Sequence, residues 1–329
     1  SYTVEMVAYK IKIALGVIQS HQRIESTKNM TWEDTFSSWS TGPGKTEQDR
    51  CDNAVAMITD AIRNDADLVK FNIEVFSQGS YKARTNISQD SDVDICVMLK
   101  NTIFPYYPEG LTAEMVGNSP SEYQYSTFKN TVGRALIRKF GPDKVKRGNK
   151  AFDIHANSYR IDADVVPTFQ YRSYTGKKSI YDGSYLFHTG VKLITDKGDE
   201  IINWPNQTYD NGVSKNDQTL RKYKRCIRIL KRLRNLMQDN KIANTNDVAS
   251  FLIECLVWNT PPAAFTRQTY YSMIRDILAH TCDNTRTYEE CKEWGEVNEL
   301  KYLFRPWQPW TMLQANNFLN AAWTYIGYQ

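Results

Sequence analysis

The sequence predicts an α+β protein, in which a lobe built on a mixed β-sheet precedes a helical lobe and a cleft lies between them. Two observations support this prediction. Short strand patterns alternate with helical ones as far as residue 215, and from residue 216 the apolar spacing is helical almost to the end. The 329 residues suffice for one bilobal protein. We therefore divide the chain into an N-terminal helical extension (1–29), a core lobe (30–215) and a helical lobe (216–329).

The core lobe contains all the strand patterns. Helices are predicted at residues 3–20, in a segment that begins after Thr46, and at 121–140. Strands are predicted at residues 71–76, 92–99, 151–155, 160–169, 191–195 and 200–204. Turns are predicted at Asn157-Ser158 and, closing a hairpin, at Asp196-Lys197-Gly198.

The helical lobe contains five segments with helical spacing. They are predicted at residues 223–233, 248–255, 266–280, 286–303 and 309–326. The second ends before Pro261-Pro262 and the last ends at Gly327, because proline and glycine commonly terminate helices.

Composition sets broad limits on the class of protein. The formal net charge is +4, which fits a site for a polyanionic small molecule without implying nucleic acid binding. The six cysteines form no disulfide framework that the sequence reveals, and most lie in apolar runs, which favours buried thiols in a reducing cytosol. No apolar stretch approaches the roughly 20 residues that span a bilayer. We therefore expect a cytoplasmic protein that does not enter a membrane.

The segment that predicts chemistry is a pair of aspartates at the start of an apolar strand. Asp92 and Asp94 are spaced i, i+2, so their side chains point the same way, about 7 Å apart along the strand. Asp164 lies on another apolar strand, with Asp162 as a rival on the same face. If these strands are neighbours, three carboxylates can bind Mg²⁺, with Mn²⁺ as a substitute. Two such ions can hold the attacking and leaving oxygens of an in-line displacement, with Asp164 activating a ribose hydroxyl.

A glycine-serine turn precedes the aspartate pair. Gln78, Gly79 and Ser80 follow a predicted strand and are separated from Asp92 by a short polar loop. Glycine lets backbone amides approach a phosphate, and the serine hydroxyl can donate a hydrogen bond to it. The turn is therefore predicted to hold a triphosphate beside its metal ions.

A less specific interpretation applies to each motif alone. Asp-x-Asp is commonly two solvated carboxylates at a strand end, and Gly-Ser is commonly a plain turn. Here the aspartates begin a strand that looks central, where unpaired carboxylates are costly. The combination of Gly-Ser, Asp-x-Asp and a later strand aspartate favours the catalytic interpretation.

These residues resemble the cGAS/DncV-like nucleotidyltransferases, or CD-NTases, of bacteria. The similar core segments lie at residues 76–81, 91–95 and 163–167. Segments that are similar to the clade E enzymes lie at residues 209–212, 223–225, 228–231, 250–256 and 325–329. The resemblance covers residues 30–329 and leaves the first 29 residues outside it.

The resemblance implies a fold, an activity and a set of roles. The fold would be a DNA-polymerase-β-like nucleotidyltransferase lobe with a C-terminal helical bundle. The activity would be the synthesis of cyclic di- or oligonucleotides from nucleoside triphosphates, with pyrophosphate release, as the alarm signal of an anti-phage system with a cognate effector. Ser80 would contact the triphosphate, and Asp92, Asp94 and Asp164 would form the metal-binding triad. Lys224 would reach the triphosphate, and Ser250 would add a hydroxyl near it.

Asn211 is the specificity residue that the resemblance implies. In clade E enzymes an asparagine before the long helix favours uracil, and an amide offers the donor and the acceptor that match the uracil edge. UTP would then be a substrate, with ATP or a second UTP as the other, and the product would be cyclic UMP–AMP or cyclic di-UMP. The alternative is ordinary turn chemistry, because Asn211-Gly212 is a turn dipeptide.

Other functions remain open at the level of sequence. One is a nucleotidyltransferase that modifies an external target such as an RNA end, a protein or a small molecule. Another is a catalytically silent nucleotide-binding scaffold. A zinc site at His280, Cys282 and Cys291 is disfavoured because no CxxC pair is present, and activation by DNA is not expected. The chain lacks a GxxxxGK[ST] loop, which excludes a P-loop enzyme, and we expect a monomer.

Overall fold

The computed structural model describes residues 31–87, 92–155 and 162–329. The predicted extension at 1–29, its helix at 3–20 and the predicted Asn157-Ser158 turn lie outside the described residues. Among the described residues, no helix combines the length and the apolar character needed to cross a membrane. All six cysteines are buried free thiols, whereas the sequence predicted burial for the four that lie in apolar runs.

A mixed seven-stranded sheet forms the core lobe. Its strands are β1 (Ile73–Ser77), β2 (Val93–Tyr106), β3 (Val145–Arg147), β4 (Phe152–Ile154), β5 (Ala163–Lys178), β6 (Tyr185–Ile194) and β7 (Glu200–Asn203). The strand order is β1-β2-β5-β4-β3, and β6 joins β5 to β7. β2 and β5 are parallel, whereas the other pairs are antiparallel. The predicted mixed sheet and the hairpin between β6 and β7 are therefore confirmed.

Two helices cover one face of this sheet. The helices Lys45–Arg63 and Tyr125–Phe140 bury apolar side chains against the alternating valine, isoleucine and leucine residues of β2. Gly133 lets the second helix approach closely, because a Cβ at this position would lie 2.6 Å from the ring of Phe152. The first of these helices begins at Lys45 with Gly44 as its N-cap, slightly earlier than the start after Thr46 that was predicted. With one face filled, the opposite face of the sheet is left to present Asp94.

Seven further helices of the described residues lie in or beside a second hydrophobic core. They are Trp32–Trp39, Pro205–Gln218, Lys222–Asp239, Ser250–Trp258, Tyr270–Asn284, Tyr288–Cys291 and Met312–Ile326, of which all but Pro205–Gln218 contribute buried residues to this core. The early helix Trp32–Trp39 joins this core through Phe36, and Glu33 accepts hydrogen bonds from the first backbone amides of Tyr270–Asn284. The division predicted between residues 215 and 216 falls within the helix Pro205–Gln218 and stays a prediction as a domain boundary.

The predicted helix at 286–303 is wrong over most of its length. Only Tyr288–Cys291 is helical, and the chain then runs irregularly through a bridge between Gly295 and Tyr302. Glu299 adopts a left-handed φ of 58°, and the side chain of Asn298 accepts a hydrogen bond from the backbone of Leu300. Local side-chain hydrogen bonds of this kind compete with the helix, which apolar spacing alone does not reveal.

A buried ion pair connects the two lobes. Lys231 and Glu254 form a salt bridge of 2.8 Å, with 0% and 6% of their side chains exposed. Glu254 also accepts a hydrogen bond from the hydroxyl of Thr85, and Lys231 donates to the Thr85 carbonyl. The Thr85 amide in turn donates to the carbonyl of Ser80. The helical lobe is thereby tied to the glycine-serine turn of the core lobe.

This network generates a prediction about stability. Lys231→Met leaves the Glu254 carboxylate buried without its cation, so we expect the free energy of unfolding to fall by about 3–5 kcal/mol. The measurement is chemical denaturation followed by circular dichroism. Lys100→Met is the matched control, because it breaks the exposed pair with Glu74 and should change stability by about 0–1 kcal/mol. Equal effects of the two substitutions would contradict the role of the buried pair.

Candidate active site

Asp94 and Asp164 lie side by side on the open face of the sheet. They are directly paired in the parallel register of β2 and β5. Paired residues on neighbouring strands point to the same face, about 4.8 Å apart along the hydrogen-bonding direction. Asp92 lies two residues before Asp94, immediately ahead of β2, and its charge acts on both Asp94 and Asp164. The structure thus places Asp94 and Asp164 side by side, with Asp92 just ahead of Asp94 in the chain.

The carboxylates raise one another's proton affinity. Burial raises the pKa of Asp94 to about 6, and the negative charges of Asp164 and Asp92 add to this effect. Burial also raises the pKa of Asp164 to about 6, followed by the charges of Asp153, Asp92 and Asp162. Such a group of like charges is stabilised by a positive partner.

The donor set fits a divalent cation. Carboxylate oxygens are the ligands that Mg²⁺ and Mn²⁺ prefer, and Asp94 and Asp164 share one face of the sheet. In the described ranges, no three His, Cys, Asp or Glu side chains already converge closely enough to hold an ion. Repulsion among like charges is the physical reason to expect such side chains to stay apart. The ligand set of Asp92, Asp94 and Asp164 therefore stays a prediction.

The glycine-serine turn packs closely against Asp94. The backbone amide of Gln78 donates to the carbonyl of Asp94 at 2.8 Å. Gly79 adopts a φ of +65°, and a Cβ at this position would lie 2.2 Å from Asp94 Oδ2. Only glycine fits this close approach with this backbone conformation. The short helix Gly79–Ala83 begins here, so Ser80 lies at the start of a helix that packs beside β2.

A cavity of about 380 Å³ opens between the lobes, within the range of small-molecule sites. The core lobe contributes Gln78, Gly79, Ser80 and Asp94 at one end, and the helical lobe contributes Ser250, Phe251, Glu254, Glu296 and Asn298 at the other. Asn203, Trp204 and Tyr209 also line it, close to the start of the helix Pro205–Gln218. The predicted cleft is therefore confirmed, and Gln78, Gly79, Ser80 and Ser250 lie in its wall.

Two predicted binding residues lie outside the lining of this cavity. Asn211 lies inside the helix Pro205–Gln218, so the alternative turn interpretation is wrong, and its Nδ2 donates to the carbonyl of Val297 at 2.8 Å. Lys224 lines a smaller adjacent cavity that shares Tyr209 and Glu254 with the main one. Its ammonium lies 5.8 Å from the centre of the Tyr209 ring.

Lys82 is a cavity residue that the sequence reasoning missed. Its ammonium donates to Asn206 Oδ1 at 3.0 Å and lies over the rings of Phe76 and Tyr209. Burial lowers the pKa of Lys82, and burial together with the charge of Arg84 lowers that of Lys224. Lys82 follows Gly79 by three residues, which is about one helical turn. This spacing in the sequence could have predicted that Lys82 lies near the glycine-serine turn. One cation thus lines the main cavity and a second lines the adjacent one.

The other sequence candidates have structural partners. Arg228, one helical turn after Lys224, donates hydrogen bonds to the backbone carbonyls of Ser40 and Arg84. His280 stacks against Trp294, and its Nε2 lies 3.1 Å from the carbonyl of Asn259. Both side chains therefore have structural partners in the helical lobe or between the lobes.

Comparisons with known proteins point to one family. Residues 210–327 match the family model of the cGAS/DncV-like nucleotidyltransferase C-terminal helical domain. The chain is 39% identical over 301 residues to the cyclic dipyrimidine nucleotide synthase CdnE of Legionella pneumophila, covering 91% of this chain and 99% of that protein. It is 35% identical over 307 residues to the cyclic dipurine nucleotide synthase of Elizabethkingia meningoseptica, covering 90% and 99%.

Solved structures agree with the sequence relatives. The Rhodothermus marinus CdnE c-UMP-AMP synthase, solved with Apcpp and Upnpp, matches with a TM-score of 0.78 and 28% identity. The match covers 90% of this chain and 98% of that one. With its paired strand aspartates, its glycine-serine turn and its helical lobe, the chain belongs to the cGAS/DncV-like nucleotidyltransferases, in the clade E group of CdnE enzymes.

Proposed function

We propose that this enzyme joins UTP with ATP, or two molecules of UTP, into a cyclic dinucleotide and releases pyrophosphate. The observation that carries the proposal is the pairing of Asp94 with Asp164 where a nucleotide-sized cavity meets the glycine-serine turn. The Legionella pneumophila relative is named a cyclic dipyrimidine nucleotide synthase, and that similarity supports a pyrimidine substrate.

The side chains divide the work between phosphate and ribose. The Ser80 hydroxyl donates a hydrogen bond to the triphosphate. The ammonium groups of Lys82 and Lys224 balance the negative charge of the triphosphate. Asp164 accepts the proton of the attacking ribose hydroxyl, whose oxygen bonds to the α-phosphorus as the bond to pyrophosphate breaks. When bound to Asp92, Asp94 and Asp164, Mg²⁺ supplies Lewis-acid stabilisation of the phosphoryl oxygens. A second transfer of the same kind closes the ring.

Two asparagines are candidates for reading the uracil edge. Asn203 lines the cavity at the end of β7, and its amide offers the donor and acceptor that uracil requires. Asn211, proposed from the family resemblance, donates to Val297, next to the cavity residue Asn298. We propose that Asn203 contacts the base and that Asn211 acts through the position of this neighbouring segment.

The cellular role follows from the family and extends the proposal. The cyclic product acts as a second messenger in anti-phage defence and activates a cognate effector in the cytoplasm. The enzyme works as a monomer and needs no DNA. The competing functions are nucleotidyl transfer to an external RNA, protein or small molecule, and catalytically silent nucleotide binding.

Incubation with radiolabelled nucleoside triphosphates separates these functions. We expect ATP and UTP with Mg²⁺ or Mn²⁺ alone to give a product without terminal phosphates, resistant to phosphatase and identified by chromatography and nuclease mapping. A labelled product that forms only when an RNA, protein or small molecule is added would favour the external-target enzyme. Intact nucleotides under every condition would favour the silent scaffold.

Asp94→Asn tests the catalytic carboxylate. The substitution keeps the side-chain shape but removes the charge that faces the transferring phosphoryl group, so we expect product formation to fall by about 10³-fold. The thermal unfolding midpoint should not fall, because a repulsive charge has been removed. Asp143→Asn, at an exposed position of the same lobe, is the control and should leave the rate unchanged. Full activity of Asp94→Asn would contradict the mechanism.

Gly79→Ala tests the close approach of the turn to Asp94. The added methyl group must displace either the turn or the Asp94 carboxylate, so we expect product formation to fall by about 100-fold. The left-handed backbone adds a loss of stability of about 1–2 kcal/mol. Gly42→Ala is the control, since nothing lies within 4 Å of a Cβ there. An active Gly79→Ala enzyme would mean that the turn does not position the reacting groups.

Asn203→Ser and Asn211→Ser test base recognition side by side. We expect Asn203→Ser to lower incorporation of UTP relative to ATP and GTP by about tenfold, the effect of losing one hydrogen bond to the base edge. Asn211→Ser should shift the preference less. The measurement is competition among labelled nucleotides at equal concentration. A shift with Asn211→Ser alone would make Asn211 the base reader, and no shift with either would place recognition elsewhere.

A further inference from the structure

A fourth carboxylate extends the catalytic row across the sheet. Asp153 on β4 is directly paired with Asp164 on β5 in the antiparallel register. Asp164 is in turn paired with Asp94 on β2. Since paired residues share a face, Asp94, Asp164 and Asp153 form one line across three strands on the catalytic face. The relation is independent of side-chain rotamers because strand register alone determines it.

The Asp153 carboxylate is close to Asp164 and open to a ligand. Its charge is the largest charge contribution to the raised pKa of Asp164. Within the part of the chain that the structure describes, the Asp153 carboxylate forms no hydrogen bond and no salt bridge. On the side of the sheet edge Asp153 is paired in register with Lys146 of β3, and a Cβ at Gly148 would lie 3.7 Å from Asp153 Oδ1. A partly buried carboxylate without a donor is unfavourable, and a bound ligand can supply the donor.

The position of the cavity determines which ligand group reaches Asp153. The cavity contacts Gly79, Ser80 and Asp94, which places the triphosphate of the donor nucleotide on the β1–β2 side of the row. In-line displacement requires the attacking hydroxyl to approach the α-phosphorus from the side opposite to pyrophosphate. The acceptor ribose therefore lies towards β5 and β4, beside Asp164 and Asp153. This step rests on the proposed function.

We propose that Asp153 accepts a hydrogen bond from the acceptor hydroxyl that does not attack, and so determines whether the 2′ or the 3′ oxygen reacts. The two hydroxyls of a ribose are on adjacent carbons, and Asp164 and Asp153 are on adjacent strands, so one hydroxyl faces each carboxylate. The hydroxyl at Asp164 loses its proton to that carboxylate, its oxygen bonds to the α-phosphorus, and pyrophosphate leaves. The hydroxyl at Asp153 keeps its proton, and its hydrogen bond to Asp153 fixes the orientation of the ribose ring.

The test separates the acceptor from the donor with nucleotide analogues. ATP and UTP in the α,β-methylene form cannot release pyrophosphate and act only as acceptors. The 2′,3′-dideoxy forms lack both hydroxyls and act only as donors. Nuclease mapping of the natural product first identifies the attacking oxygen. The acceptor nucleotide is then supplied in two forms, one with both ribose hydroxyls and one that lacks the hydroxyl that does not attack. The KM of each form is measured for the wild type, Asp153→Ala, Asp153→Asn and the control Asp143→Ala.

We expect the wild type and Asp143→Ala to show a KM about tenfold higher for the deoxy acceptor than for the ribose acceptor. In Asp153→Ala this ratio should fall to about one, while the KM of the dideoxy donor changes less than about twofold. The natural product of Asp153→Ala should contain both linkages, whereas Asp153→Asn, which retains an acceptor oxygen, should keep mostly one.

An unchanged deoxy-to-ribose ratio in Asp153→Ala would overturn the proposal, as would a product with a single linkage. Equal increases in donor and acceptor KM would assign Asp153 a structural role instead, which also overturns it. Failure of the proposed function has a separate signature. In that case the wild-type enzyme would form no linear or cyclic product from any pair of nucleotides.

Discussion

The parallel pairing of β2 with β5 is the constraint on which the active site depends. Its register sets Asp94 opposite Asp164, and the alternating apolar residues of β2 anchor that register against the helices on the other face. A slip of one residue would send every side chain of a strand to the opposite face. The carboxylates would then enter the hydrophobic core, where an unpaired charge is strongly unfavourable. Packing on one face of the sheet therefore enforces the chemistry on the other.

Both lobes contribute to the wall of the cavity and to the positive charge near it. Lys224 of the helical lobe and Lys82 of the core lobe both approach the ring of Tyr209, which lines the cavity. The buried Lys231–Glu254 pair reaches Ser80 through Thr85. Because Glu254 also lines the cavity, the cavity wall and the contact between the lobes share this residue. The helical lobe therefore forms part of the cavity and is also tied to the glycine-serine turn.

The sequence predicts the parts of the site that local patterns encode. The aspartate pair, the strand of Asp164 and the glycine-serine turn have recognisable spacings, and the two-lobe architecture follows from the change in apolar period. It does not predict Asp153, because β4 has only three residues and its partner is set by register across separate segments. Asn203 lines the cavity because β7 ends there. No pattern in the sequence around Asn203 predicts this position. The segment after Cys291 retains helical apolar spacing, yet side-chain hydrogen bonds and the backbone at Glu299 prevent a helix.

The burial of all six cysteines has a practical consequence. Burial raises the pKa of Cys96 and of Cys226 to about 12, and the other thiols are shifted in the same direction. The thiolate is the reactive form, so the natural cysteines react slowly with maleimides and similar reagents at neutral pH. A cysteine introduced at an exposed position of either lobe would be labelled selectively in the otherwise unaltered chain. Fluorescent or spin-labelled pairs can therefore report the distance between the two lobes without removal of any natural cysteine.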